Sequence, residues 1–426
     1  MLNRFHEKYV KSPFMRNFAV MLSGNGLSLV IPFILAPFLT RLYSPEDFAG
    51  YELFVRFMLP LLAISSLRYE FAIILPRKEE DATGLMRLCM RILFVVTILS
   101  AIVFIPFRNF WSDLSDNAAL SRLLWWLPVS VFFTGLLMIL NNFLMREKMF
   151  RSLSANKVLT TSTNHGSKYL FGLKWTEPLG LVIGDVVGAV VPVLTLLSRK
   201  HIRGQLAKIR NNKSDLKQLM RQYREFPLFN APHSFYDEAN RAVLFLIISV
   251  YYGEVILGLF AITMRYLRVP VQVFGTSLSQ VFMPQLAQDY NEKIDIRKRI
   301  KKIMLGNAVV GIVPFSLIFF FGEEIFGFVF SAEWSQAGIY AQIIAPWLFF
   351  NFIVSPVSMV PTIVTRQKTF FLIVVVGTMS ALVLTALLSY LEFQFIYVLI
   401  GITAINASLD IVVIRWILHL SKLRLD

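Results

Sequence analysis

Charge is scarce in this chain. Asp, Glu, Lys and Arg make up 16% of its 426 residues and apolar residues 56%, whereas a soluble domain carries about 25% charge. With a mean hydropathy of +0.61, that balance excludes a disordered chain, and the lack of short repeats excludes collagen and coiled coil. Cysteine is nearly absent. Cys89 alone forms no internal disulfide and builds no cysteine-rich zinc or iron–sulfur site. The histidines (His6, His165, His201, His233 and His419) are scattered, and none forms an HExxH pair. GxSxG and GxxxxGK[ST] are missing too. The expectation is therefore no cofactor, no metal and no enzyme active site. No cleavable signal peptide is expected either, because the first apolar run is too long for one.

What is present is a succession of long apolar runs. A spanning helix with a short loop takes about 35 residues, which gives roughly twelve spans. They read as 17–40, 50–75, 84–106, 121–144, 152–172, 178–198, 227–250, 255–287, 303–322, 337–362, 369–391 and 395–419. The expected fold is an all-α polytopic membrane protein. Span 152–172 is weak: Asn156, Lys157, Asn164, His165 and Lys168 suit helices or water, not lipid. Span 255–287 is expected to bend at Pro270 and Gly275.

Loop charges set a direction. The odd-numbered connections hold Arg41, Arg108 and Lys174, and the other loop cations lie in the even-numbered connections and the tails. Arg4, Lys8, Lys11 and Arg16 precede the first span, and the middle stretch 199–225 runs from Arg199 and Lys200 through Lys213 to Arg224. The positive-inside rule then puts both termini and this stretch in the cytoplasm. The net charge of +15 needs no nucleic acid to explain it. The middle stretch also suits anionic headgroups or a docking partner from an assembly machinery.

That stretch divides the chain into residues 1–198, a first lobe of helices 1–6, the basic linker 199–225, and 226–426, a second lobe of helices 7–12. Tyr43, Glu46, Gly50 and Pro76 correspond, at one constant offset, to Tyr251, Glu254, Gly258 and Pro284. Six spans per lobe, each lobe starting on the same side, imply a parallel repeat with pseudo-twofold symmetry about the membrane normal, a pattern common in transporters. The longest outer loops, 107–120 and 323–336, are too short for the outer domain that a membrane glycan polymerase or ligase would need.

Ionisable groups within spans cost about 2.5–3.5 kcal/mol each on insertion scales, so they face a cavity or a partner. This chain has Glu52, Arg56, Arg68, Glu70, Lys168, Asp185, Asp237, Glu238, Arg241, Arg265, Arg268 and Asp410. A water-filled chamber lined by arginine would suit a phosphate or diphosphate, because the planar guanidinium grips oxyanions in a bidentate way. Arg265 and Arg268 share a helix face. Each group also has a plainer reading. Glu52 with Arg56, and Asp237 with Arg241, have the i,i+4 spacing of local ion pairs. Arg68 with Glu70 reads as an interfacial pair, and Lys168 as a snorkelling lysine. Asp185 and Asp410 read as lone acids. Thr403, Asn406 and Asp410 form an oxygen-rich stripe that, with Asp237, would hold a proton or cation.

Two stretches carry a resemblance. Leu39–Arg77 reads LTRLYSPEDFAGYELFVRFMLPLLAISSLRYEFAIILPR, and Tyr223–Gln288 contains FPLFNAP, MRYLRVP and RVPVQVFGTSLSQVFMP. Both resemble the Wzx-type oligosaccharide flippases, which move O-antigen and other polysaccharide repeat units and belong to the MOP superfamily with the MATE exporters. Ala49 departs from the glycine often found there. The resemblance implies a V-shaped pair of six-helix lobes in the bacterial inner membrane. It implies movement of an undecaprenyl-type, diphosphate-linked oligosaccharide to the outer leaflet, by alternating access and with coupling to H+ or Na+. Arg68, Arg265 and Arg268 fall in its motifs as headgroup ligands, joined by Arg241 and Lys168. A MATE-type exporter of cationic drugs is the alternative with the same fold.

Overall fold

A computed structural model of the protein describes residues 13–211 and 214–421. Arg4, Lys8, Lys11 and Lys213, invoked above for orientation, lie outside the described residues. Among those residues the structure is helical throughout. It falls into two compact units, one ending at Phe245 and the other beginning at Leu246.

The first unit holds α1 (Pro13–Leu39), α2 (Pro45–Ile64), α3 (Glu79–Phe104), α4 (Leu127–Arg146), α5 (Phe150–Gly172) and α6 (Pro178–Leu197). Ser44 starts α2 with a capping box: its Oγ accepts from the Asp47 N–H at 3.3 Å, and the Asp47 carboxylate accepts from the Ser44 N–H at 2.9 Å. Pro45 follows at the first helical position, where its missing N–H costs nothing. In this unit α1 packs on α5, α5 on α6, and α3 on α4.

The connections gather at opposite ends of this unit. At one end Arg146 donates to the carbonyls of Ile73 (3.0 Å) and Pro76 (2.8 Å), Arg199 to Ser152 Oγ (2.7 Å), and Ser214 to the Glu80 carbonyl (3.0 Å). At the other end Tyr43 lies against Gly172 and Gly180, and Gly50 against Pro178. Arg122, read above as part of a span, pairs there with Glu177 at 3.3 Å. Alternate connections meet in this way only when each helix runs the length of the unit. The basic stretch 200–211 is itself a helix, and Ile202 and Ile209 bury its apolar side with Leu85, Met86, Leu88 and Cys89.

Helices α7 (231–252) and α8 (254–291) are parted at Gly253, whose φ of 80° suits glycine. Gly253 is the position that the repeat offset matches to Pro45. The backbone stays helical through Pro270 and Gly275, so the helix is not interrupted at either. The second unit continues with α9 (Ile296–Phe330, interrupted at Phe321), α10 (Ser335–Val354), α11 (Gln367–Tyr390) and α12 (Phe395–Leu420). Here α9 packs on α10, and both α10 and α11 pack on α12. Phe395 is buried among the rings of Tyr252, Phe260 and Tyr340.

Among the described residues, eight stretches are long and apolar enough to cross a membrane, and one of them, Phe226–Ser279, takes in parts of both α7 and α8. Helix α1 adds the shorter apolar stretch Gly26–Leu39. The two remaining long helices are polar for identifiable reasons: α2 carries Glu46, Asp47, Glu52 and Arg56, and α5 carries the polar set named above. The chain is therefore an all-α polytopic membrane protein with six long helices before the linker and six after it.

Candidate functional site

The polar centre of the first unit joins α2, α5 and α6. Lys168 on α5 lies 2.7 Å from the carboxylate of Asp185 on α6, and their side chains are 4% and 15% exposed. Its ammonium also donates to Tyr51 Oη on α2 at 2.8 Å. The Tyr51 hydroxyl donates in turn to Asp185 at 2.7 Å, and Asn164 donates to its other oxygen. A buried pair needs hydrogen bonds beside its charge contact, and here both Asp185 oxygens accept one. Lys168 therefore does not snorkel, and Asp185 is not a lone acid.

Glycine makes this closeness possible. A Cβ on Gly184 would stand 2.4 Å from Lys168 Cγ and 2.9 Å from its backbone N, and one on Gly188 would stand 2.8 Å from Asn164 Cα. One turn earlier, Gly180 makes room for the Tyr43 hydroxyl, which donates to the Lys168 carbonyl at 2.9 Å. Burial pushes the Tyr43 phenol well above its usual range, with Asp47 adding to the shift. The four-residue spacing of Gly180, Gly184 and Gly188 is the small-residue pattern that lets membrane helices approach closely. That spacing is the sequence signal for this cluster, whereas the charged residues alone reveal neither it nor Tyr51.

Glu52 and Arg56 form the expected local ion pair on α2. The Arg56 guanidinium also stacks 4.0 Å above the Phe245 ring, and its buried Nε has no hydrogen-bond partner. Arg68 sits where α2 ends. Leu67 and Arg68 are both left-handed, with φ of 49° and 62°, a conformation that costs roughly 1–2 kcal/mol for each such residue. The turn they make is pinned by Ser66 donating to Glu70 and by an Arg68–Glu70 contact of 3.5 Å. Arg68 Nε is buried without a hydrogen-bond partner. On α7, Arg241 pairs with Glu238 at 3.0 Å, while Asp237 pairs with His233 at 3.6 Å. The Asp237–Arg241 pairing read from spacing is thus replaced by two neighbouring pairs.

In the second unit Arg265 and Arg268 are half-buried on one side of α8. The Arg268 guanidinium lies 5.5 Å from the Trp347 ring centroid. Asp410 on α12 is buried and accepts from Asn351 Nδ2 at 3.3 Å, and Arg268 is within electrostatic reach of it. Asp410 is therefore not a lone acid either. Asn406 donates to the Ile402 carbonyl of its own helix at 2.8 Å, and the buried Thr403 hydroxyl has no hydrogen-bond partner. The described residues contain no group of three or more His, Cys, Asp or Glu side chains arranged to hold a metal ion.

Six long helices before the linker and six after it, with charges buried among them, define an all-helical polytopic membrane fold. A solved inward-facing multidrug-resistance MATE transporter of the MOP superfamily matches 93% of this chain and 99% of its own, with a TM-score of 0.73 and 15% identity. The lipid II flippase MurJ in an inward closed conformation matches 94% of this chain and 87% of its own, with a TM-score of 0.72 and 15% identity. At such identity these likenesses speak for the fold. The family comes from sequence. The profile described as "Polysaccharide biosynthesis protein" matches residues 38–339, and the chain belongs to that family. It is also 22% identical over 367 residues to the capsular polysaccharide biosynthesis protein CapF of Staphylococcus aureus, covering 83% of this chain and 86% of that one.

Proposed function

We propose that the protein is a flippase that carries a polyprenyl-diphosphate-linked oligosaccharide from the inner to the outer leaflet of a bacterial cytoplasmic membrane, with both termini in the cytoplasm. The reading rests on one conjunction: membership of a polysaccharide biosynthesis family, in a chain whose membrane helices hold guanidinium groups in both units. A diphosphate and a glycan do not cross hydrocarbon unaided, because an unpaired charge or hydroxyl costs several kcal/mol or more there. Arginine replaces the lost hydration with paired N–H donors.

In this reading Arg68, Arg265, Arg268 and Arg241 are the headgroup ligands, and Arg56 joins them. Lys168 already has its counter-charge in Asp185, so its role is to hold α5 to α6. The prenyl tail stays in lipid while the polar part passes, by alternating access between the two lobes. No covalent bond changes, so no residue is catalytic. Asp410, with Thr403 and Asn406, is the candidate for coupling to H+ or Na+, and Asp237 is a second candidate on α7. The capsular relative favours a capsule-type repeat unit over O-antigen as the cargo. A cationic drug, the cargo of the exporter alternative, is disfavoured by the same arginines.

The test is lipid extraction from cells lacking the protein, with an impermeant probe assigning the leaflet. The proposal expects one complete oligosaccharide to build up on polyprenyl diphosphate in the inner leaflet. Build-up in the outer leaflet, or none, would overturn it.

A further inference from the structure

We infer that the lipid-facing side of α3 carries a binding site for an anionic phospholipid headgroup, built on Arg87 and Arg91. One face of α3 is buried with Leu85, Met86, Leu88, Cys89 and Leu93. The opposite face exposes Phe94, Val95, Ile98 and Ile102. At helical spacing that exposed stripe runs on through Arg91, which is exposed, and Arg87, which is half-buried. An apolar stripe ending in two arginines matches an acyl chain ending in a phosphate.

The depth is right for a headgroup. From Arg87 to Phe107 the chain runs twenty residues, about 30 Å at helical rise, which is the thickness of the hydrocarbon. Phe107, Phe110 and Trp125 are exposed at the far end, as aromatic belts are. Arg87 thus falls at the near boundary. Arg91, about 6 Å deeper, reaches that boundary by extending its side chain. Glu79, Glu80 and Asp81 occupy the first turn of α3, on the water side of Arg87. Further positive charge lies at this end. Arg77 and Lys78 precede α3, and the helix Lys200–Asn211 packs on α3 with Lys200 and Arg203 exposed. The site is independent of the transport reading, because it faces lipid.

Native mass spectrometry of the full-length protein, loaded in detergent with phosphatidylglycerol or phosphatidylcholine, tests the inference. The wild type should retain phosphatidylglycerol in preference by about thirtyfold, from about 1 kcal/mol for each of the two arginines. Arg87→Gln/Arg91→Gln should lose that preference, Arg91→Gln alone should lose about half of it on a logarithmic scale, and Arg91→Lys should keep most of it. Lys148→Gln/Arg151→Gln, exposed at the same end after α4, should keep all of it. Equal retention of the two lipids by wild type would overturn the site. So would a preference that survives in Arg87→Gln/Arg91→Gln, an undiminished preference in Arg91→Gln, an equal loss in the Lys148/Arg151 control, or displacement of phosphatidylglycerol by a polyprenyl diphosphate at equimolar level.

Discussion

Both units place an acid on their sixth helix and join it to their second, but they do so with different chemistry. In the first, Asp185 on α6 takes Tyr51 from α2 and a full cation, Lys168, from α5. In the second, Asp410 on α12 takes Asn351 from α10, with Arg268 of α8 within electrostatic reach. The fifth helices differ accordingly. Helix α5 is polar and glycine-close to α6, whereas α11 meets α12 through Gly377 against the Leu409 side chain. The repeat preserved the order of the helices and left their buried polar groups free to diverge. The first unit has locked its charges into a structural clasp. The second buries its acid beside an amide, that of Asn351.

The largest effect should come from breaking the clasp. Lys168→Met leaves Asp185 buried and unpaired and should cost about 3–5 kcal/mol, read as lost yield and a lower Tm in detergent. Lys168→Met with Asp185→Leu should recover most of that loss, because removing both charges removes the desolvation penalty too. If Lys168 instead binds cargo, the double variant will be stable yet inactive. Gly188→Ala, which drives a methyl into the Asn164 backbone, should cost about 1–3 kcal/mol. Gly377→Ala, which meets only a movable leucine, should cost less on the same Tm scale.

Arg68 separates backbone from charge. Arg68→Gly takes the cation from buried Glu70 but relieves the left-handed residue, so it should be about 1 kcal/mol more stable than Arg68→Ala, yet abolish glycan export in a complementation assay. Arg68→Ala should abolish export without that gain. Export by both variants would remove Arg68 from the headgroup ligands. The smallest change should be Thr403→Val. It removes a hydroxyl that has no partner and should shift stability by less than about 1 kcal/mol. Loss of transport in a stable Thr403→Val protein would mark α12 as the coupling helix.

Helix number and limits were legible because apolar runs and loop charges obey simple rules: the spans read as 178–198 and 395–419 appear as Pro178–Leu197 and Phe395–Leu420. The polarity of α5 was legible too, but not its partner, because Asp185 lies on another helix and no spacing rule connects them. Pro270 does not interrupt its helix, since a membrane helix tolerates proline where neighbouring groups re-satisfy the backbone. Leu67 and Arg68 were invisible as a turn, because neither residue type favours the left-handed region they occupy. Asn351 and Trp347 were missed because single polar residues in apolar helices look alike until the fold selects which of them meet.

Proteoliposomes test the central claim most directly. The purified protein would be reconstituted with a labelled polyprenyl-diphosphate oligosaccharide, and an impermeant glycan-modifying reagent added outside would count the molecules in the outer leaflet over time. The account predicts that the protein exchanges the pool between leaflets far faster than empty liposomes do, and that Arg268→Ala returns the rate to background. Exchange no faster than in empty liposomes, or full-speed exchange by Arg268→Ala, would contradict it.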